Sequence, residues 1–140
     1  MKTAKSLTPE QLDVLVDAHL AAEVRQDLPA VLDTLSSDIV HDVVGAPAPS
    51  RGLEQVAAFY RGLWADLAVD EMRPVRRLHA PHFVVDEVMV SARAVGRPFG
   101  FDGRGRRVEF RLVHVFEFED DRIVRETAAL DLPALSGQLA

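Results

Sequence analysis

The chain has 140 residues, of which 48 % are hydrophobic, with no cysteine and a formal net charge of −6. That length holds one domain with a substantial core, and the acidic balance argues against nucleic acid and anionic membranes, both of which need a positive surface. Without cysteine there are no disulfides, thiolate nucleophiles or cysteine-ligated zinc, so any chemistry falls to carboxylates, histidines and tyrosine. No apolar run approaches membrane-spanning length, and the opening Met1-Lys2-Thr3-Ala4-Lys5-Ser6 lacks the apolar stretch of a signal peptide; a cytoplasmic protein is expected.

Thr8-Pro9-Glu10-Gln11 is a helix start with a mechanism: a Thr cap, a Pro whose missing N–H costs nothing at the first position, and Gln three residues after the cap. This helix runs to about residue 25, and Leu12, Leu15, Val16, His19 and Leu20 share its apolar stripe, so His19 is expected on the buried side. Asp27-Leu28-Pro29 starts a short second helix that ends near Ser36-Ser37. Asp38-Ile39-Val40-His41 reads as a short strand, and the Gly/Pro-rich stretch beyond Asp42 can continue neither strand nor helix. Asp42 therefore stands at a mouth, where a carboxylate is a candidate base. Leu53, Val56, Ala57, Tyr60, Leu63, Trp64 and Leu67 mark a third amphipathic helix over 53–67, with Tyr60 on its inner stripe.

Thereafter the pattern alternates. A strand over 71–78 is edge or bulged because of Pro74. A longer one covers 83–95, with Asp86, Glu87 and Arg93 expected in outer-face ion pairs and the turn residues His79 and His82 expected in solvent. The glycine-rich segment 96–105 carries Phe99 and Phe101, either as a flap over something apolar or as a wide hairpin connection. Residues 107–119 form a long strand in which Val108, Phe110, Leu112, His114, Phe116 and Phe118 share one face. After Asp120-Asp121-Arg122, a last strand over 123–130 ends at Asp131 and Pro133. Three N-terminal helices packed on a strongly curved antiparallel sheet make an α+β cone. Its interior is a hollow for a small apolar ligand, into which Asp42, His19, Tyr60 and His114 are expected to face.

His41-Asp42-Val43-Val44-Gly45, then Arg51-Gly52 and Phe59-Tyr60, resembles the Glu-Asp-Pro-Val-Gly, Ser-Gly and Phe-Tyr pattern of ketosteroid isomerase. The whole chain looks like a single domain of the NTF2-like superfamily, near that isomerase and the SnoaL-like polyketide cyclases. The resemblance implies a cone fold, a catalytic base at Asp42, a hydrogen-bonded tyrosine at Tyr60 and a homodimer formed through the sheet. Where the isomerase builds its oxyanion hole from a tyrosine and a protonated aspartic acid, this chain has His19 and His114. Likeness to the SnoaL group implies a second acid/base candidate at Asp131.

The expected activity is proton transfer alpha to the carbonyl of an apolar substrate, with Asp42 as base and His19 with His114 holding the oxyanion. Val16, Trp64, Phe99, Phe101, Leu112, Phe116 and Leu130 are expected to line the substrate hollow. No metal or other cofactor is expected, and a His19, His114 and Asp42 metal triad is the alternative. Each of these residues also has a structural alternative: Asp42 as cap of its own loop, the histidines and Tyr60 as hydrogen-bonded core residues, Trp64 as packing. Two other functions suit the same cone. One is non-catalytic binding of a lipid-like or polyketide-like ligand, and the other is a dimeric interaction module using outer-face residues such as Arg111 and Glu117.

Overall fold

The computed structural model describes residues 6–140, and the signal-peptide expectation falls on the opening residues, 1–5 of which lie outside the described part. Helix α1 (Pro9–Val24) begins as its sequence dictates: Gln11 N–H donates to Thr8 Oγ1 at 3.1 Å while Thr8 N–H donates to Gln11 Oε1 at 2.9 Å, a reciprocal cap that satisfies two otherwise orphaned donors. Its buried stripe runs through Leu12, Val16, His19, Leu20 and Glu23. Asp27 caps the short α2 (Leu28–Asp33), accepting from Ala30 N–H at 3.2 Å. There follow β1 (Leu35–Val43), the two-residue β2 (Ser50–Arg51), α3 (Gly52–Asp66), β3 (Leu67–Ala80), β4 (Phe83–Ala94), a 3₁₀ turn at Pro98–Gly100, β5 (Arg106–Glu119), β6 (Arg122–Leu130) and α4 (Leu132–Leu139). No described helix is long and apolar enough to cross a membrane.

The strands form one six-stranded sheet in the order β2-β1-β6-β5-β4-β3. Every pair is antiparallel except β1 with β6, which run parallel, a departure from the all-antiparallel expectation. That one pairing sets His41 opposite Glu126. Register shifts in β3 against β4, one of them at Pro74, and another between Glu117 and Phe118 in β5 against β6, bend the sheet. Pro74 is tolerated because β3 is an edge strand. The helices cover the concave face and leave two apolar clusters: one joins Leu12, Val16, Val31 and Val56 to Phe116 and Ile123, the other joins Leu67, Val90 and Phe110 to α4 through Leu135 and Leu139. Helix α4 adds a fourth helix to the three expected, and Asp131 caps it by accepting from Ala134 N–H at 3.1 Å.

Two surface expectations are corrected. Asp86 is not an outer-face residue: with its side chain 2 % exposed, it accepts from Arg77 Nε at 2.8 Å. Arg77 also reaches Asp13 at 3.0 Å and Asp17 at 2.8 Å, tying α1 to the edge of the sheet. His79 is the last-but-one residue of β3 and lies 2.7 Å from Asp13 Oδ1 rather than free in a turn. Segment 96–105 is pinned to the cone's wall, Gly96 N–H donating to Asp66 O at 3.0 Å and Gly105 N–H to Ala94 O at 2.9 Å.

Two outcomes follow. Arg77→Met leaves the Asp86 carboxylate buried without its cation, so it is expected to cost about 3 kcal/mol in denaturant melts. Asp17→Asn, on the rim of the same group, is expected to cost under about 1 kcal/mol; equal losses would show that Asp86 does not depend on Arg77. A Cβ at Gly103 would collide with the Ala94 carbonyl oxygen and sit 2.7 Å from both Ala94 Cβ and Gly96 O. Gly103→Ala should therefore destabilise by about 1–3 kcal/mol, and an unchanged melting temperature would contradict this packing.

Candidate active site

Strand alternation decides which side chains meet inside the cone. In β1, Ile39 and His41 point inward and are buried, so the intervening Val40 and following Asp42 turn the other way. In β5 the inward set includes Leu112, His114 and Phe116. In β6 the register shift after Ile123 resets the parity, so that Glu126, Ala128 and Leu130 face the same interior. Glu126 thus lies beside His41 on one neighbouring strand and Phe116 on the other, while His114 lies opposite the small Ala128. From above, α1 delivers His19 and Glu23 one turn apart, and α3 delivers Tyr60.

The result is a buried polar cluster centred on the Glu126 carboxylate, 1 % exposed. Its Oε2 lies 3.3 Å from His19 Nε2 and 3.7 Å from His41 Nε2, and accepts from the Tyr60 hydroxyl at 3.3 Å. Its Oε1 lies 3.7 Å from His114 Nε2. Thr34 fixes the tautomer of His19: its hydroxyl donates to Val31 O at 2.6 Å, so it can only accept from His19 Nδ1–H, at 2.8 Å. Nε2 of His19 consequently faces two carboxylates, with Glu23 Oε2 at 3.1 Å as well as Glu126.

Burial alone pushes His19 down, but the carboxylates of Glu126 and Glu23 outweigh it and raise its pKa to about 10. His41 is raised by the same balance, burial opposed by Glu126 and then Glu23. Burial pushes Glu126 up, but the imidazoles of His19 and His41 hold it well below the usual carboxylate range. Tyr60 stays neutral, driven up first by burial and then by Glu126 and Glu23. The cluster is therefore a stable carboxylate–imidazolium assembly.

Above it opens a hollow of about 60 Å³. Its wall is apolar, including Phe59, Trp64, Phe99, Leu112 and Leu130, apart from Glu23, His41, His114 and Glu126 at the polar end. Both His41 Nδ1 and His114 Nδ1 are buried without a hydrogen-bond partner. His114 is stacked on Phe116 at 4.9 Å, and His41 packs against Phe59 at 4.5 Å, so each ring is held against an aromatic neighbour.

Of the residues singled out in the sequence, His114, Trp64, Phe99, Leu112 and Leu130 line the hollow. His19 and Tyr60 are fully buried one layer behind its wall, in contact with Glu126. The placement of Asp42 in the hollow is corrected: its carboxylate lies on the other side of the strand, 32 % exposed, accepting from Arg125 Nη2 at 2.9 Å. Asp131 is likewise outside, exposed and engaged as the α4 cap. Val16 and Phe116 are core residues beneath the wall, and Phe101 packs against α4's cluster instead of the cavity. His41, Glu23 and Glu126 escaped the sequence reading, although Glu23 continues the buried α1 stripe one turn past His19.

A comparison with curated protein sequences finds no significant match. Solved structures share the fold. TsrD from Streptomyces laurentii is 24 % identical, with 96 % of this chain and 98 % of that one covered at a TM-score of 0.83. An LEH-like epoxide hydrolase of M. tuberculosis is 24 % identical over 93 % of this chain and 90 % of that one, TM-score 0.74. An NTF2-like protein of unknown function from Burkholderia pseudomallei K96243 is 22 % identical over 95 % and 99 %, TM-score 0.76. The family model described as SnoaL-like polyketide cyclase matches residues 13–139, nearly the whole cone and every member of its buried cluster, and the chain belongs to that family.

Proposed function

We propose that the hollow is an active site for proton transfer next to the carbonyl of a small apolar compound, with His41 and His114 facing the reacting atoms. The observation that carries this is the pair of histidines at the polar end of an otherwise apolar cavity, each with a buried Nδ1 that has no hydrogen-bond partner. An imidazole whose Nε2–H is directed to a carboxylate presents its Nδ1 lone pair as a base; one protonated at Nδ1 presents a donor. One ring thus removes the proton alpha to the carbonyl, and the other donates to the oxygen on which charge develops. Glu126 lies behind both rings, where it orients them and offsets the positive charge, as the acid does in a nucleophile–histidine–acid triad. Isomerisation of an unsaturated ketone and aldol ring closure share this first step, and both are compatible with the family. A volume of about 60 Å³ corresponds to a few water molecules, at roughly 10–15 Å³ each on this measure. It suits a small carbonyl compound or the reacting end of a longer apolar one.

Non-catalytic binding is the second reading, favoured by the preponderance of apolar side chains in the wall. It predicts ligand affinity that survives His114→Ala without any turnover.

Proton transfer is read directly by incubating the protein with a panel of β,γ-unsaturated ketones in deuterated buffer. Exchange is expected, lowered about 10²-fold or more in His114→Ala and Glu126→Gln and changed less than about threefold in Asp42→Asn, because Asp42 stands outside the cavity and its ion pair is worth little. No exchange with any ketone, or loss of exchange in Asp42→Asn alone, would overturn the assignment.

A further inference from the structure

His19 Nε2, Glu23 Oε2 and Glu126 Oε2 converge on one point. The first lies 3.1 Å from the second and 3.3 Å from the third, and all three fall within 4.8 Å of one another. Three donors held about 2.1 Å from a common centre sit roughly 3.0–3.4 Å apart, and the two distances from His19 Nε2 fall in that range. We propose that these three atoms form a binding site for one divalent first-row transition-metal ion, with its remaining coordination positions on the side of the hollow lined by Glu23 and Glu126. The site goes beyond the acid–base function proposed above and shares Glu126 with it, but its test reads bound metal and not turnover.

Three observations point to an ion. Glu23 Oε2 is buried, its side chain 7 % exposed, and has no hydrogen-bond partner although it lies 3.1 Å from His19 Nε2. A single ring N–H is directional and serves one acceptor, whereas a cation at the point of convergence serves the imidazole and both carboxylates together. The second observation is the back of the ring. His19 Nδ1–H is committed to Thr34 Oγ1, itself locked by its own bond to Val31 O, so Nε2 faces the carboxylates and carries a proton in the metal-free chain, which an ion would displace; this is the outer-shell arrangement of metal-bound histidines. The third is composition. One imidazole and two carboxylates, with no thiolate in the chain, suit Zn²⁺, Mn²⁺, Fe²⁺ or Co²⁺ and disfavour Cu⁺. A dication also offsets two carboxylates buried in one place, which are costly without full compensation. His41 Nε2, 3.7 Å from Glu126 Oε2, and the Tyr60 hydroxyl, 3.5 Å from His19 Nε2, flank the same point. An ion there leaves Glu126 Oε1 with His114.

The rival occupant of the point is a proton on His19 Nε2, and the experiment separates the two. The full chain, stripped with a chelator, is dialysed against Zn²⁺, Mn²⁺ and Co²⁺ separately, and retained metal is measured by elemental analysis with circular dichroism as the check on folding. One equivalent of at least one ion is expected, with visible absorption bands for the Co²⁺ form. Affinity should fall at least 100-fold in Glu23→Gln and His19→Gln, about 10–100-fold in Thr34→Val, and not at all in Asp13→Asn on the surface. Retention of no ion by folded protein, or equal retention by Glu23→Gln, overturns the site. Should the variants fail to fold, ¹⁵N NMR of the unaltered chain in saturating Zn²⁺ decides: loss of the His19 Nε2 proton supports the ion, and its persistence excludes it.

Discussion

The Glu126 carboxylate is fully enclosed, and the neighbours that replace its water come from four different elements: His19 from α1, His41 from β1, Tyr60 from α3 and His114 from β5. Removing a carboxylate from water costs several kcal/mol unless partners compensate it. The partners here exist only when the helices lie across the sheet in their native positions. The assembly therefore specifies the arrangement of the cone as well as occupying it: a helix rotated by one residue or a strand slipped by one would leave the charge uncompensated in an apolar interior. Apolar packing around Val16, Ile39, Val56 and Phe116 drives the collapse, and the polar cluster selects one geometry among those that collapse would allow.

The sheet makes this convergence possible through two irregularities. Parallel pairing of β1 with β6 brings an early strand next to the last one, so that His41 and Glu126 become neighbours across 85 positions of chain, 126 less 41. The register shift between Glu117 and Phe118 lets both Ile123 and Glu126 face inward on the same strand, which strict alternation forbids. Ala128, one inward step further, has too small a side chain to fill its share of the interior, and the hollow opens over it. A larger residue there would occupy part of the hollow that His41 and His114 also line.

Much of the fold is legible because local chemistry and periodicity agree: the Thr8 cap, the stripe of α1, the amphipathic α3 and the alternation of β5 each carry their own signal. The site was harder for identifiable reasons. Asp42 looked like a residue at a strand's end, but β1 continues to Val43, so alternation places His41 inside and Asp42 outside, where Arg125 meets it. Glu126 sits beyond a bulge, and nothing in the residue pattern of β6 announces the parity change. The parallel β1–β6 pairing is a long-range feature with no short-range signature. Glu23 and α4 were within reach: Glu23 extends the α1 stripe, and Asp131 followed by Pro133 is the same helix-starting chemistry that Thr8 and Pro9 display.

The contrast between Asp42 and Glu126 shows how differently two carboxylates near one pocket are held. Asp42 is one-third exposed and already paired with an arginine that is itself 38 % exposed, so water and salt screen it and its interaction is worth at most about 1 kcal/mol. It does not line the hollow. Glu126 is shielded from solvent, and its two oxygens act in different directions, Oε2 toward His19, His41 and Tyr60 and Oε1 toward His114. In a low-dielectric interior such interactions are strong and coupled, so displacing charge at one imidazole is felt by the others through the shared carboxylate. A ligand that contacts His114 or His41 therefore meets an electrostatic unit assembled from the whole cone, with its orientation set before the ligand arrives.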